Sequence, residues 1–357
     1  MSNLIISALD QSPIRDGDSA VTAIQETVEL AKLCDQLGYH RYWLAEHHSS
    51  SSFAGTAPEI LIAYLAAATQ NIRIGSGGVM ISHYSPLKIA EQFRLLEALA
   101  PGRIDLGIGR APGSDPKTSA ALQSGPQAWP GEVFPQQLEM IRQFLADAEG
   151  KSGDQGGFPD DHPYLGIHAQ PGGNSSPNIW LLGSGGDSAI FAAQFGLPYV
   201  YAHFIGGQDG VRALDVYRRN FRPSAHCKKP VIGFAMSLLV AESQEQADYY
   251  SLPRNIWALQ HQKNQSSAFL RMEDAANFKI DDADQATFEQ IQARSLTGTP
   301  DNVYTQLCEL QQLHEIDEFF SISITSDNQA RHNSYRLLAD AAGLVSPSKK
   351  IHMDAAQ

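Results

Sequence analysis

Cysteine is scarce in this chain: Cys34, Cys227 and Cys308 are odd in number and far apart. That spacing supports neither a disulfide framework nor a cysteine zinc site and fits free thiols in a reducing compartment. Long apolar runs are missing too. No segment approaches the ~20 apolar residues of a membrane span, and the opening residues lack the basic region of a signal peptide. Basic residues number 26 against 39 acidic ones, and a net charge of −13 argues against non-specific nucleic-acid binding. HExxH, a Walker A sequence and a GxGxxG beside the first strand are also absent, which argues against a zinc protease, a P-loop and a dinucleotide fold. A cytoplasmic protein without a metal site is the expectation that remains.

What is present is a regular alternation. Apolar residues make up 43% of the 357 positions and charged residues 18%, enough for a large core. β-type runs occur at 4–9, 41–46, 72–81, 103–109, 178–182, 199–204, 231–240 and 319–324, each followed by a helical pattern. Ser19 is placed to cap the first helix, with Val21, Ile24, Val28 and Ala31 on one face and Gly38 as its stop. Pro58, Pro86 and Pro300 sit at helix starts, where a missing N–H does no harm. Strand–helix alternation implies a parallel sheet, and eight units favour a (β/α)8 TIM barrel over an open doubly wound sheet. Residues 114–131 and 150–177 read as loop insertions at its C-terminal face, 1–345 as one domain, and 346–357 as a mobile tail. Residues 262–284 are polar and weakly patterned, either a lid over the pocket or a surface insertion.

Barrels and open sheets both put the active site at the C-terminal strand ends. That rule gathers Glu46, His47, His48, Gly77, Gly78, Arg110 and the turn Gly183-Ser184-Gly185-Gly186 into one neighbourhood. Side chains alternate along a strand, so unless the strand has already ended the two histidines diverge, one facing the pocket and the other packing elsewhere. Adjacent histidines on one strand do not easily chelate one ion. The glycine turn, with Ser188 just beyond it, joins a strand end to a helix start, a geometry suited to phosphate, and Arg110 is a candidate cation for the same group. Gly77-Gly78 is either a bulge at a tight corner or a place where a flat ligand meets bare backbone. The 82–84 loop is a candidate cover for that ligand. Trp43, Tyr64 and Trp180 read as core.

With these residues assembled, the chain resembles the bacterial-luciferase-like flavin monooxygenases over essentially its whole length. Ala45-Glu-His-His48 is similar to the family's second-strand motif, whose first histidine is catalytic beside the flavin, here His47. Ile74-Gly-Ser-Gly-Gly-Val79 is similar to the segment that carries a non-proline cis peptide, which points to Gly77-Gly78. Gly102 to Arg110 resembles the fourth-strand signature whose terminal arginine holds the FMN phosphate, and Gly183-Ser-Gly-Gly186 the second phosphate loop. Gly298-Thr-Pro-Asp-Asn-Val303 resembles the usual penultimate helix start. Gly109 stands where light-emitting luciferases carry a reactive cysteine, which counts against light emission.

The resemblance implies a monooxygenase that uses reduced FMN and O2, with addition of oxygen at the flavin C4a position, to oxidise a small organic substrate. The reduced flavin would come from a separate NAD(P)H:flavin reductase. His47 would assist proton transfer, tuned by burial and by Glu46, while Glu46, Gly77, Gly78, Arg110, Ser184, Gly185, Gly186 and Ser188 would hold the cofactor. A homodimer through helices is also implied, although Leu61, Leu65 and Leu96 fit an ordinary core equally. Alternatives within the resemblance are a flavin-storage protein without turnover and a deazaflavin-dependent hydride transferase.

Overall fold

A computed structural model describes residues 4–111, 115–122, 131–265 and 267–344. The tail expected to be mobile, and much of the 114–131 stretch, lie outside these residues. The strands are β1 (Ile6–Asp10), β2 (Arg41–Leu44), β3 (Arg73–Met80), β4 (Ile104–Gly109), β5 (Asn178–Gly183), β6 (Tyr199–Ala202), β7 (Ile232–Val240), β8 (Ser295–Gly298) and β9 (Glu318–Ile322). All pairings are parallel, and β1 to β7 with β9 close a ring because β6 also pairs with β7 and β7 with β9. This is the eight-stranded (β/α)8 barrel that the alternation predicts. β8 extends the sheet from β7 alone and was not expected.

Two cores follow from the alternation of side chains across each strand. Outward residues such as Ile6, Tyr42, Leu44, Ile74 and Ile104 pack under the helices. Inside the ring, Trp43 contacts Trp180 edge-on at 5.5 Å between centroids and Phe320 at 4.4 Å. At the end where the strands begin, the interior is charged. Arg41 donates to Asp105 at 2.7 Å and to Glu318 at 3.0 Å, Arg73 reaches Asp105 at 2.6 Å, and Trp43 Nε1 donates to Asp105 at 3.1 Å. Arg41 also lies over the Trp180 ring, 4.8 Å from its centre.

Several helix ends follow the expected local chemistry. Ser19 Oγ accepts the Thr22 N–H at 3.0 Å, and Gly38 ends the same helix at φ 86°, a conformation that favours glycine. The buried face of that helix differs from the expected one. It carries Ala23, Thr27, Leu30, Ala31 and Cys34, while Val21 is 66% exposed. The reason is a polar contact that hydrophobicity does not register: Thr27 Oγ1 donates to Ser12 Oγ at 2.9 Å beneath the first strand end. Tyr64, expected in the core, is 59% exposed. Residues 262–284 carry a helix at Met272–Asn277 and anchor on the barrel through Phe269, which is fully buried against Phe53 and Trp257. A further helix, Gln285–Ala293, then leads into β8.

β3 and β4 approach each other closely. A Cβ on Gly107 would sit 2.1 Å from the Ser76 carbonyl oxygen, so even one methyl overpacks this pair of strands. G107A is therefore expected to lower the unfolding free energy by about 1–3 kcal/mol, seen as a lower urea midpoint with an unchanged slope.

Candidate active site

The C-terminal ends of the strands enclose a cavity of about 400 Å³. Its wall includes Ala45 and His47 beyond β2, Gly77, Gly78 and Met80 of β3, Gly109 and Arg110 at the end of β4, and Gly183 to Ser188 beyond β5. Most of the residues singled out in the sequence thus meet in one place.

The Gly77-Gly78 peptide is cis, and the β3–β4 register shifts between Gly77 and Val79. Packing accounts for both glycines. A Cβ on Gly77 would meet Leu9 at 2.5 Å, and one on Gly78 would meet the Gly107 carbonyl oxygen at 2.8 Å. The bulge reading therefore holds, and the same bulge turns bare backbone toward the cavity. Gly185 and Gly186 differ. A Cβ on either would meet nothing within 4 Å, so neighbouring atoms do not require glycine there. Gly185 is the N-cap of the helix Gly186–Gln194, with no side-chain cap, which leaves the first-turn N–H groups to a ligand. Arg110 Nη1 donates to Asp187 Oδ2 at 3.0 Å at this end of the cavity. Ser188 is committed to the turn: its Oγ donates to the Gly185 carbonyl at 2.9 Å and occupies the space a Cβ of Gly183 would need.

The two histidines lie beyond the end of β2 and make different contacts. His47 lines the cavity, its ring stacked on Phe53 at 4.5 Å and 29°, its N–H donating to the Gly55 carbonyl at 2.8 Å. Its Nδ1 is buried without a hydrogen-bond partner. Burial, followed by the nearby charges of His48 and His261, pushes its pKa down to about 4, so the ring is neutral at pH 7. His48 lines only an adjoining cavity and bonds Glu46 Oε1 at 2.7 Å. Glu46 is fully buried and does not line the cavity. Its oxygens also accept the Met80 N–H at 2.9 Å and the Tyr84 hydroxyl at 2.7 Å. It therefore ties the end of β2 to the end of β3, pairs with His48 rather than His47, and occupies Tyr84, which was expected to cover a ligand. His83 is buried rather than poised over the cavity.

Sequence reasoning missed Gln11, Leu182, Phe204 and Ile205, which also line the cavity. Gln11 directly follows the end of β1 and Phe204 lies two residues past the end of β6, positions that mark them, but neither carries a charge that draws attention. A second cavity of about 740 Å³ adjoins the first and shares Gln11, His47, Phe204 and Ile205 with it.

The chemistry of the site is legible from these placements: a neutral imidazole, an uncapped glycine turn at a helix start, and exposed backbone between them. Such a set suits a long, flat, phosphorylated cofactor beside a proton-handling side chain.

The His47 titration has a definite sign. Its folded pKa lies below the ordinary value, so the unfolded chain takes up the proton first and stability falls as pH drops from 6.5 toward 4. NMR titration of the histidine ring protons is expected to place the His47 midpoint near 4; a midpoint near the ordinary histidine value would contradict the buried, unpaired ring.

Comparison with known proteins agrees with this geometry. A family model described as luciferase-like monooxygenase matches residues 3–314. The chain is 42% identical to the Bacillus subtilis protein YceB over 335 residues, covering 94% of this chain and 98% of that one. It is 36% identical over 350 residues to the N-acetyl-S-alkylcysteine monooxygenase of the same organism, covering 94% and 97%. Among solved structures, apo-MsnO8 is similar at a TM-score of 0.85 and 35% identity, covering 96% of this chain and 99% of that one. By motif, fold and relatives alike, the chain belongs to the luciferase-like monooxygenase family and is a flavin-type oxidoreductase that incorporates oxygen.

Proposed function

We propose that the protein oxidises a small organic substrate with O2 and reduced FMN, the flavin being supplied by a separate NAD(P)H:flavin reductase. The observation that supports the FMN assignment is the end of the cavity where Gly185, Gly186 and Arg110 meet at an uncapped helix start. Bound reduced FMN supplies two electrons and activates O2, one oxygen atom passing to the substrate and the other leaving as water. The protein's share is positional. Arg110 and the first-turn N–H groups hold the phosphate, and the Gly77-Gly78 backbone supports the flat ring. His47, neutral and unpaired at Nδ1, takes or gives a proton at that atom beside the reacting centre. The apolar lining of Leu9, Leu182 and Val200 excludes water. The unpaired His47 Nδ1 favours turnover over storage, because a storage site needs no neutral base beside the ring.

Arg110→Ala is expected to weaken binding of reduced FMN roughly ten- to hundredfold, the range of a charge-assisted pair. The same change should leave riboflavin binding within about twofold. Anaerobic titration of both flavins, with the deazaflavin as a third ligand, measures this; equal loss for riboflavin, or preference for the deazaflavin, overturns the FMN assignment.

The homodimer also belongs to this reading, through residues other than those first considered. Leu65 and Leu96 are core, whereas Ile60, Tyr64, Leu95 and Leu99 stand 68%, 59%, 54% and 64% exposed on the helices Pro58–Ala68 and Pro86–Leu99. These two helices pack side by side, so the four side chains form an apolar patch of the kind that marks an interface. Light scattering is expected to give twice the chain mass for the wild type and a single chain mass for Y64E/L95E.

A further inference from the structure

The second cavity is lined by two arginines that no acid among the described residues pairs with. Arg254 lies on the helix Gln244–Gln262, where Arg254, Trp257, Ala258 and His261 follow a helical i, i+3, i+4, i+7 spacing and all face the cavity. Arg294 ends the helix Gln285–Ala293 and lines the same wall. Arg254 donates to Asn255 Oδ1 at 3.1 Å and to Ser295 Oγ at 2.7 Å, both neutral. Among the described residues neither arginine makes an ion pair. The other deeply placed arginines are matched: Arg41 and Arg331 by carboxylates, Arg94 by backbone carbonyls and Ser176. Burial and the repulsion of Arg294 push the Arg254 pKa down to about 10, which leaves Arg254 cationic at pH 7.

Two uncompensated guanidinium groups facing one cavity, in a chain of net charge −13, are costly unless an anion completes them. Asp115, the acid that also borders the cavity, does not supply it. Its oxygens are occupied by the Lys117 and Thr118 N–H groups and the Thr118 hydroxyl. The rest of the wall is mixed: Ser49 to Ser52, His48 and His261 give it a polar stretch, while Phe53, Trp257, Ile322 and Ile324 form an apolar and aromatic one. Arg110, the cation of the proposed phosphate site, lines only the first cavity, while His47 lines both.

We propose that the second cavity binds a small amphipathic organic acid, its anionic head on Arg254 and Arg294 and its apolar body against Phe53 and Trp257. Its far end then lies toward His47 and the first cavity. This deepens the monooxygenase reading, on which it rests for the acid being the substrate; the binding of the acid stands by itself.

The test uses the full chain, with and without oxidised FMN, and follows Trp257 fluorescence and titration heat with 4-phenylbutyrate, 4-phenylbutyramide and inorganic phosphate. The acid is expected to bind at least ten times more tightly than the amide. R254M and R294M are each expected to weaken the acid at least tenfold and to leave the amide within twofold, while R219M, on an exposed helix face, changes neither. Acid and amide binding alike in the wild type overturns the proposal, and that comparison needs no variant to fold. Phosphate binding as tightly as the acid also overturns it, since the apolar wall would then contribute nothing. FMN titration of the same samples keeps the two readings apart. Absence of FMN binding overturns the cofactor assignment without touching the acid result, and FMN binding without acid preference overturns this inference alone.

Discussion

Arg41 holds the barrel together from inside. Its guanidinium joins Asp105 of β4 to Glu318 of β9, and Ser7 of β1, Arg73 of β3 and Trp43 of β2 add further bonds to the same two carboxylates. Five strands are thereby fixed in register at the end where they begin. Burial alone would raise the Glu318 pKa, yet Arg41, His40 and Ser7 outweigh it and hold the carboxyl below its usual range. Removing one partner would strand a buried charge, a loss of several kcal/mol in comparable pairs (about 3–5). With that end closed by charge, the opposite ends are free to carry chemistry, the division of labour expected of a barrel.

At the functional end another buried carboxylate takes over. Glu46 gathers an amide, a phenol and an imidazole from three positions, and burial together with Glu46 raises the Tyr84 pKa above its ordinary value. The clamp fixes where β3 ends relative to β2. It thereby sets the distance between the cis peptide and His47 without touching the cavity.

Much of this was legible because glycine, proline and alternation are local signals. The eight barrel strands and most helix starts follow from residues within a few places of one another, whereas the cis position comes from the family resemblance. Glu46 shows where local reading stops. It adjoins His47 in sequence, but beyond the end of β2 its carboxylate pairs with His48, a choice that only the tertiary structure shows. β8 escaped because Ser295–Gly298 is too short to show a period, with Leu296 its one large apolar residue. The register of the first helix was missed because Thr27 is buried by a hydrogen bond rather than by hydrophobicity. Arg254 and Arg294 look like ordinary surface charges in a sequence, and only the tertiary fold shows that they line one cavity without an ion pair among the described residues.

His47 forms part of the wall of both cavities, so whatever occupies one lies within a side chain's width of the other. For inhibitor chemistry this is a linker problem. A molecule with a phosphate at one end and a carboxylate at the other would fill both compartments, and its second contact would form at the high effective concentration of a tethered group. Its selectivity would come from the length and bend of the tether past one imidazole, rather than from either anionic end.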